Sequence, residues 1–420
     1  MTKSGLKIAL LASASALTGT SLAAETLFWS TQARPIEETQ AMREQVLAGF
    51  DGAVAFEPSD EGPWQTRLEA ELSAGSGRIG VLGALHGNFT PLVDGLADLS
   101  AVDVSAVAPG FVELGRLETD EQKYIPWMQA TYVMAAHRDA LEYLPEGADL
   151  MALSYDHLIA WAANMHEASG EPRFGFPAGP EGLKHRFFQG YMLPSYTGSM
   201  VTEFRSEEAE AAWEAFQELW SHTNPASTNF SFMQEQLISG DAWVVFDHTA
   251  RLADAFNERP DDFVAFPAPA GPAGRGFMPV LAGVAVPVTA PDMEASKALI
   301  NYLLEPETQI ATLRATNFFP VIDVELPDDM PPSVQAAGAA ISAMSGADDA
   351  LPALLPVGLG GLGGQFNQVY NDTFERIILA RQPIRAVLDD QAEALRRILE
   401  EADAPCWAPD APSEGACPVN

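Results

Sequence analysis

Thr26-Leu27-Phe28-Trp29, Ala53-Val54-Ala55-Phe56 and Ile79-Gly80-Val81-Leu82 are three short apolar runs whose spacing decides the fold. Each has the length and composition of a buried strand. The intervals between them carry helical patterns. Ile36, Met42, Val46 and Phe50 recur at near-helical spacing, and Leu68 with Leu72 marks a second helix. Strand, helix, strand in alternation predicts an α/β fold with a largely parallel sheet.

Outward from this stretch the pattern changes and then returns. Residues 141–240 carry long helical stretches, with Trp213, Phe216 and Trp220 on one stripe that reads as core. Trp243 to Phe246 and Phe263 to Phe266 read as strands, residues 267–279 as a Pro- and Gly-rich loop, and Leu281 to Val288 as a strand. Met293 to Leu304 reads as a helix after the start signal Pro291-Asp292. Residues 323–358 read as a crossing segment with one short helix. Tyr370 to Leu379 and Leu388 to Leu399 are terminal helices, the latter with Leu388, Ala392, Leu395 and Leu399 on one face.

The chain has 420 residues, enough for two domains of ordinary size. It is 47% hydrophobic and 19% charged, a globular composition that excludes wholesale disorder. Its 58 acidic and 23 basic residues give a net charge of −35. That charge repels phosphate backbones and anionic lipid, so no nucleic-acid or membrane-surface role is expected.

Lys3 and Lys7, the apolar run Ile8 to Leu17, and Ser21-Leu22-Ala23 before Ala24 compose a cleavable secretory signal over residues 1–23. No Cys follows the cleavage site, so no lipid anchor is expected there. Cys406 and Cys417 are the only two cysteines. In an exported chain such a pair reads as a disulfide, here closing a turn-rich tail expected to lie outside the core and away from any ligand.

Catalytic and cofactor signatures are missing from the sequence. Gly358-Leu359-Gly360-Gly361-Leu362-Gly363-Gly364 has no Lys and follows no strand, so it reads as a connection or close-packed turn, not a phosphate loop. There is no HExxH helix and no GxSxG elbow. The seven histidines have no paired metal spacing. Acids are too abundant for any one carboxylate pair to argue for a hydrolase.

Three further stretches carry a resemblance. Phe232-Met233, then Leu237-Ile238-Ser239-Gly240-Asp241-Ala242-Trp243-Val244-Val245-Phe246-Asp247, is one. A second runs from Leu281-Ala282-Gly283-Val284-Ala285-Val286-Pro287 through Ala295 to Leu303, Glu307-Thr308-Gln309 and Asn317-Phe318-Phe319-Pro320-Val321. The third is Ile377 to Arg385 with Leu388 to Leu399. In this order they resemble the extracellular solute-binding proteins of ABC importers, family 1, the maltose-binding-protein-like carbohydrate group. Two departures stand out. His248-Thr249-Ala250 replaces the family's Gly-Pro-Trp-like turn, and Asn317 replaces the Gly before Pro-Val.

The resemblance implies a two-lobed periplasmic binding protein fold of type II, a Venus-flytrap with discontinuous lobes and a hinge. Lobe one would be 25–128 and 283–325, and lobe two 131–279 and 331–420, with the disulfide-closed tail at 406–417. It implies a monomeric periplasmic receptor that captures a sugar or oligosaccharide in the cleft and presents it to membrane permease subunits driven by a cytoplasmic ATPase. Such a receptor is not an enzyme and uses no cofactor or metal. Alternatives are the same receptor for a polyol, a glycerol-phosphate compound or an acidic sugar, and a secreted glycan-active enzyme, which would need two carboxylates at fixed separation.

Sugars need aromatic faces and dense polar groups. The candidate ligand residues are therefore Trp29 at the end of the first strand, Trp64 in the turn entering a helix, and His86 and Asn88 after the third strand. Trp127 and Gln129 sit at the first crossing, where Gln129 matches a hydroxyl-binding position of relatives. Asp247, His248 and Arg251 follow a lobe-two strand. Tyr196, Gln365 and Phe366 complete the set. Arg34 joins Arg251 if the ligand is anionic.

Overall fold

The computed structural model describes residues 25–32, 36–107, 109–117, 119–322 and 324–420. The signal expected over 1–23, and Arg34, lie outside the described residues. Among the described residues there are eleven strands in chain order: β1 Thr26–Ser30, β2 Val54–Pro58, β3 Ile79–Leu85, β4 Ile125–Ala130, β5 Tyr132–His137, β6 Phe174–Gly175, β7 Val244–His248, β8 Phe263–Phe266, β9 Arg275–Phe277, β10 Val280–Ala285 and β11 Ala350–Pro352. They form two main sheets, one for each lobe of a mixed α/β fold.

The first sheet has the order β2-β1-β3-β10-β4. β1 pairs in parallel with β2 and β3, while β10 runs antiparallel to β3 and β4. β3 is central and covered on both faces, which is why its run is continuously apolar and not alternating. Gly83 lets Phe28 and Ser30 of the neighbouring strand approach, since a Cβ there would lie 2.7 Å from the Phe28 ring.

The second sheet has the order β6-β7-β5-β8, with β5 antiparallel to β7 and β8. Helix Glu207–Ser221 packs on this lobe through Ala209, Ala212, Trp213, Phe216 and Leu219. Ser206 caps it by accepting the Ala209 N–H at 3.1 Å, and three glutamates in the first turn suit its positive end. Helix Ile384–Ala402 buries the expected face of Leu388, Ala392, Leu395 and Leu399. Among the described residues no helix is long and apolar enough to cross a membrane.

The chain passes between the sheets three times. β4 ends at Ala130 and β5 begins at Tyr132. The second passage joins β9 to β10 through Met278 and Pro279. The third lies between helix Pro306–Thr316, beside β4, and helix Pro332–Ser345, which covers β8. The passages are tied together: the Thr131 hydroxyl donates to the Met278 carbonyl at 2.8 Å, and the Gln129 amide donates to the Pro320 carbonyl at 2.9 Å.

Three details differ from the sequence expectation. Residues 267–279 include β9, which pairs in parallel with β11. The 323–358 segment carries a 14-residue helix, Pro332–Ser345, whose Ala-rich sequence favours helix without a strong periodic signal. The tail is also part of the lobe-two core. Cys406 and Cys417 are bonded and buried, and Trp407 packs 5.5 Å from the Phe366 ring. The buried Asp410 carboxylate accepts the N–H groups of Met200, Val201 and Thr202 and the hydroxyls of Ser199 and Thr202.

Candidate functional site

A cavity of about 160 Å³ lies where the two lobes meet. Lobe one contributes Glu61 and Gln65 from helix Glu61–Ala74, then Leu85, Gly87, Asn88 and Pro91 from the end of β3 onward. Lobe two contributes Arg186, then Leu355, Pro356, Leu359 and Gly360, and Gly363, Gly364 and Asn367 from helix Gly363–Phe374. The cavity therefore sits at the carboxyl end of a parallel strand, where open α/β sheets bind ligands. Gly87 is required here: a Cβ would run into the Pro356 carbonyl oxygen across the cleft.

The lobe-one wall is a polar cluster. Asp60 takes extended geometry and starts the helix that carries Glu61. The Asn88 amide donates to the Glu61 carboxylate, and its oxygen accepts the Leu85 N–H at 3.2 Å. His86 turns inward. Its Nδ1 lies 2.7 Å from the Tyr124 hydroxyl, and burial pushes its pKa down to about 4, so the ring is neutral.

On lobe two the Arg186 side chain donates to Gln189 Oε1 at 3.1 Å, and Gln189 in turn donates to Asn367 at 3.0 Å. Burial holds the Arg186 pKa below its ordinary value, against the opposing fields of Tyr132 and Glu61. Asp247 at the end of β7 is a structural carboxylate. It accepts the Met233 and His248 N–H groups, each at 2.8 Å, and burial raises its pKa to about 6 against the field of Arg251. His248 is driven down to about 3 by burial and then by Arg251. Its Nδ1 accepts the Ala250 N–H at 3.2 Å, so the neutral ring carries its proton on Nε2. Arg251 donates to the Ser231 carbonyl at 3.2 Å and lies 4.3 Å over the Phe232 ring.

The sequence candidates scatter around this cavity. Asn88 lines it. Trp29 is half-buried at the end of β1 beneath the Arg67 guanidinium, 4.5 Å from its ring centre. Trp64 is not a loop residue: the helix has already begun at Glu61, and its phase turns the indole into the lobe-one core, 1% exposed. The two indoles are locked reciprocally, Trp29 Nε1 to the Trp64 carbonyl at 3.2 Å and Trp64 Nε1 to the Trp29 carbonyl at 3.1 Å. Trp127 is equally buried, edge-on to Phe28 at 6.4 Å. Phe366 is core against Tyr370 and Trp407, Gln365 is exposed, and Tyr196 leans on Tyr155 at 5.7 Å. Gln129 lines a different cavity.

That second cavity, about 430 Å³ and mostly apolar, lies at the crossings. Its walls include Phe111, Leu114, Gln129, Phe277, Phe319 and Leu354. It is a space between hinge segments with few polar groups.

Glu61, Gln65, Arg186 and Asn367 were not singled out from the sequence, and Gly363-Gly364 was read only as part of a turn. One signal was present: Lys184-His185-Arg186 is the single run of three consecutive basic residues in a strongly acidic chain. Among the described residues no group of His, Cys, Asp and Glu is arranged to hold a metal ion.

The family model of bacterial extracellular solute-binding proteins matches residues 35–310. The chain belongs to this family. Solved structures agree in fold with this solute-binding protein. Maltose-bound MalE3 of T. maritima is 18% identical with a TM-score of 0.69, covering 89% of this chain and 100% of that one. The sugar-binding protein MalE of Xanthomonas citri is 16% identical with a TM-score of 0.70, covering 90% and 98%. UgpB of Mycobacterium tuberculosis, in complex with glycerophosphocholine, is 17% identical with a TM-score of 0.68, covering 90% and 99%. A comparison with curated protein sequences returns no match.

Proposed function

We propose that this solute-binding protein is the periplasmic capture receptor of an ABC importer for a small hydroxylated, carbohydrate-type solute. The observation that carries the reading is the interlobe cavity, walled by polar groups from both lobes at the carboxyl end of β3. Lobe one is taken as 25–128 with 283–325, and lobe two as 131–279 with 331–420. β4 and β10 extend the first sheet slightly past 128 and 283. Closure about the three tied passages would bury the solute and present the closed form to permease subunits, with a cytoplasmic ATPase driving uptake. The protein would be exported by its cleaved leader and act as a monomer.

The size of the cavity favours a monosaccharide or polyol over an oligosaccharide, since pockets for drug-sized ligands hold ~300–1,000 Å³. The cavity lining includes one carboxylate, Glu61. Glycoside hydrolysis requires two, which favours binding without chemistry. A thermal-shift screen against neutral and charged sugars and polyols tests the reading. A ligand bound to the folded state alone at 100 times its Kd adds ~2.7 kcal/mol and raises the Tm. Failure of every solute to shift the Tm, or conversion of a bound solute to product, would refute it.

A further inference from the structure

In this acid-rich chain, most described cations that are at least partly buried form ion pairs. Among the described residues, Arg67 meets Glu57 and Glu71, Arg173 meets Glu171, Arg205 meets Asp389, Arg275 meets Asp349 and Arg376 meets Asp390. Arg116, Lys123, Arg259, Lys297 and Arg396 also have carboxylate partners. Three others that are not fully exposed have no carboxylate at ion-pair distance, only more distant ones: Lys184, Arg186 and Arg251. They converge on one region of lobe two. Burial first, then the fields of Arg186, Lys184 and Arg251, lowers the pKa of His185 well below its ordinary value. The Tyr132 phenol lies in the fields of both arginines.

Arg186 is the one of the three that faces the interlobe cavity. Its bond to Gln189 engages one of its five donors. Gly363 and Gly364 lie on the same wall, where the short turn Gly360–Leu362 runs into helix Gly363–Phe374 and the Gly363 N–H donates to the Gly360 carbonyl. A Cβ at either glycine would meet open space, so a ligand oxygen has room to approach the backbone. The opposite wall is of the other polarity. Glu61 faces the cavity from lobe one, with Gln65 and Asn88 beside it. A carboxylate there suits hydroxyl donors.

We infer that the captured solute is a hydroxylated anion of monosaccharide size or smaller, with its phosphate or carboxylate seated on Arg186 and its hydroxyls against Glu61, Gln65 and Asn88. This rests on the receptor reading above. The planar guanidinium matches two oxygens of a phosphate or carboxylate at once. A neutral sugar would leave only Glu61, across the cavity, to balance the Arg186 charge in the closed cleft.

Calorimetry with matched pairs tests it: glucose against glucose 6-phosphate and against glucuronate, and glycerol against glycerol 3-phosphate. At least one anion should bind about tenfold or more tightly than its neutral partner. The phosphate and carboxylate arms distinguish the two kinds of anion. Arg186→Gln should weaken that anion by about a hundredfold and remove the preference, while Arg186→Lys retains part of it. Arg78→Gln removes the same charge from an exposed site and should leave affinity unchanged. A neutral partner bound as tightly as its anion, or equal losses for both in Arg186→Gln, would overturn the inference and leave the receptor standing. Binding by no member of any pair would also overturn it, and the broader neutral panel then decides the receptor reading separately. If Arg186→Gln fails to fold, the wild-type pairs and Arg186→Lys carry the test.

Discussion

Replacing Asp410 by Asn should loosen both the tail and the cleft wall. In the native protein Oδ2 accepts the Met200 N–H at 2.8 Å and the Val201 N–H at 3.0 Å. Oδ1 accepts the Thr202 N–H at 2.8 Å, with the Ser199 and Thr202 hydroxyls at 2.5 and 2.6 Å. An amide has one acceptor oxygen. Its better orientation keeps the Oδ1 set and points an NH₂ group at two buried N–H groups. Each donor stranded in this way costs ~1–3 kcal/mol, and the retained bonds lose their charge assistance. The substitution should therefore destabilise lobe two by about 3–4 kcal/mol.

The consequence reaches the ligand. Leu354 donates to the Ala408 carbonyl at 2.9 Å, Gly358 rests against Pro405 and Ala404, and Trp407 packs on Phe366, whose helix opens into the cavity. Urea unfolding should show the lost stability, and calorimetry should show weaker binding of whichever solute the wild type takes. Reduction of the Cys406–Cys417 bond should weaken binding in the same direction. A stability loss below about 1 kcal/mol in Asp410→Asn would refute the bookkeeping of the five acceptor contacts. Unchanged affinity in both the variant and the reduced protein would refute the link from tail to cleft.

Other outcomes follow from the same structure. His248 has a folded pKa of about 3, below its ordinary 6.5, so the unfolded chain takes up its proton first as pH falls. Its contribution is fully present above pH 6.5, and about 2 kcal/mol of it is gone by pH 5. His248→Gln should flatten the stability profile between pH 5 and 6.5 in a urea series, and an unchanged slope would contradict the buried neutral ring. Trp64→Ala removes a core side chain and the hydrogen bond to Trp29. It should cost about 3–5 kcal/mol of stability, measured by denaturation, whereas a variant of native stability and reduced affinity would return Trp64 to the ligand. Saturating solute should shrink the radius of gyration in small-angle scattering, and an identical profile would count against hinge closure.

The elements were legible because each rests on a local pattern. Burial of β3 on both faces produced its unbroken apolar run, and the Asp292 cap marked the start of helix Met293–Leu304. The direction of a single side chain depends on phase, which is not local. Trp64 illustrates the point. A shift of the helix start by one or two residues decides whether its indole meets solvent or Leu68 and Phe89. Trp127 and Gln129 are two apart on β4 and would share a face of a regular strand, yet the irregular β4–β10 pairing beside Trp127 accompanies different destinations, core and hinge cavity. The Gly-rich run at 358–364 was legible as a turn, but its place on the cleft wall depends on a tail some fifty residues away in the chain, at Pro405 and Ala404. Arg186 was the hardest residue to see. The sequence displays its charge but not the absence of a partner.

That absence has an electrostatic meaning in a chain of net charge −35. With 58 carboxylates available, an unpaired, partly buried guanidinium is a choice of placement and not a shortage of partners. A protein that needed only stability there would gain by an apolar side chain or an ion pair. At a distance the molecule repels anions, but physiological salt confines that repulsion to ~8 Å. Within the cleft screening is weaker, and Arg186 places a positive charge on the lobe-two wall. Glu61 restores the negative sign on the facing wall and so fixes the orientation of whatever enters. On the anion proposal the two walls together would discriminate by the polarity of the solute along one axis, a selection that neither aromatic stacking nor cavity size alone would provide.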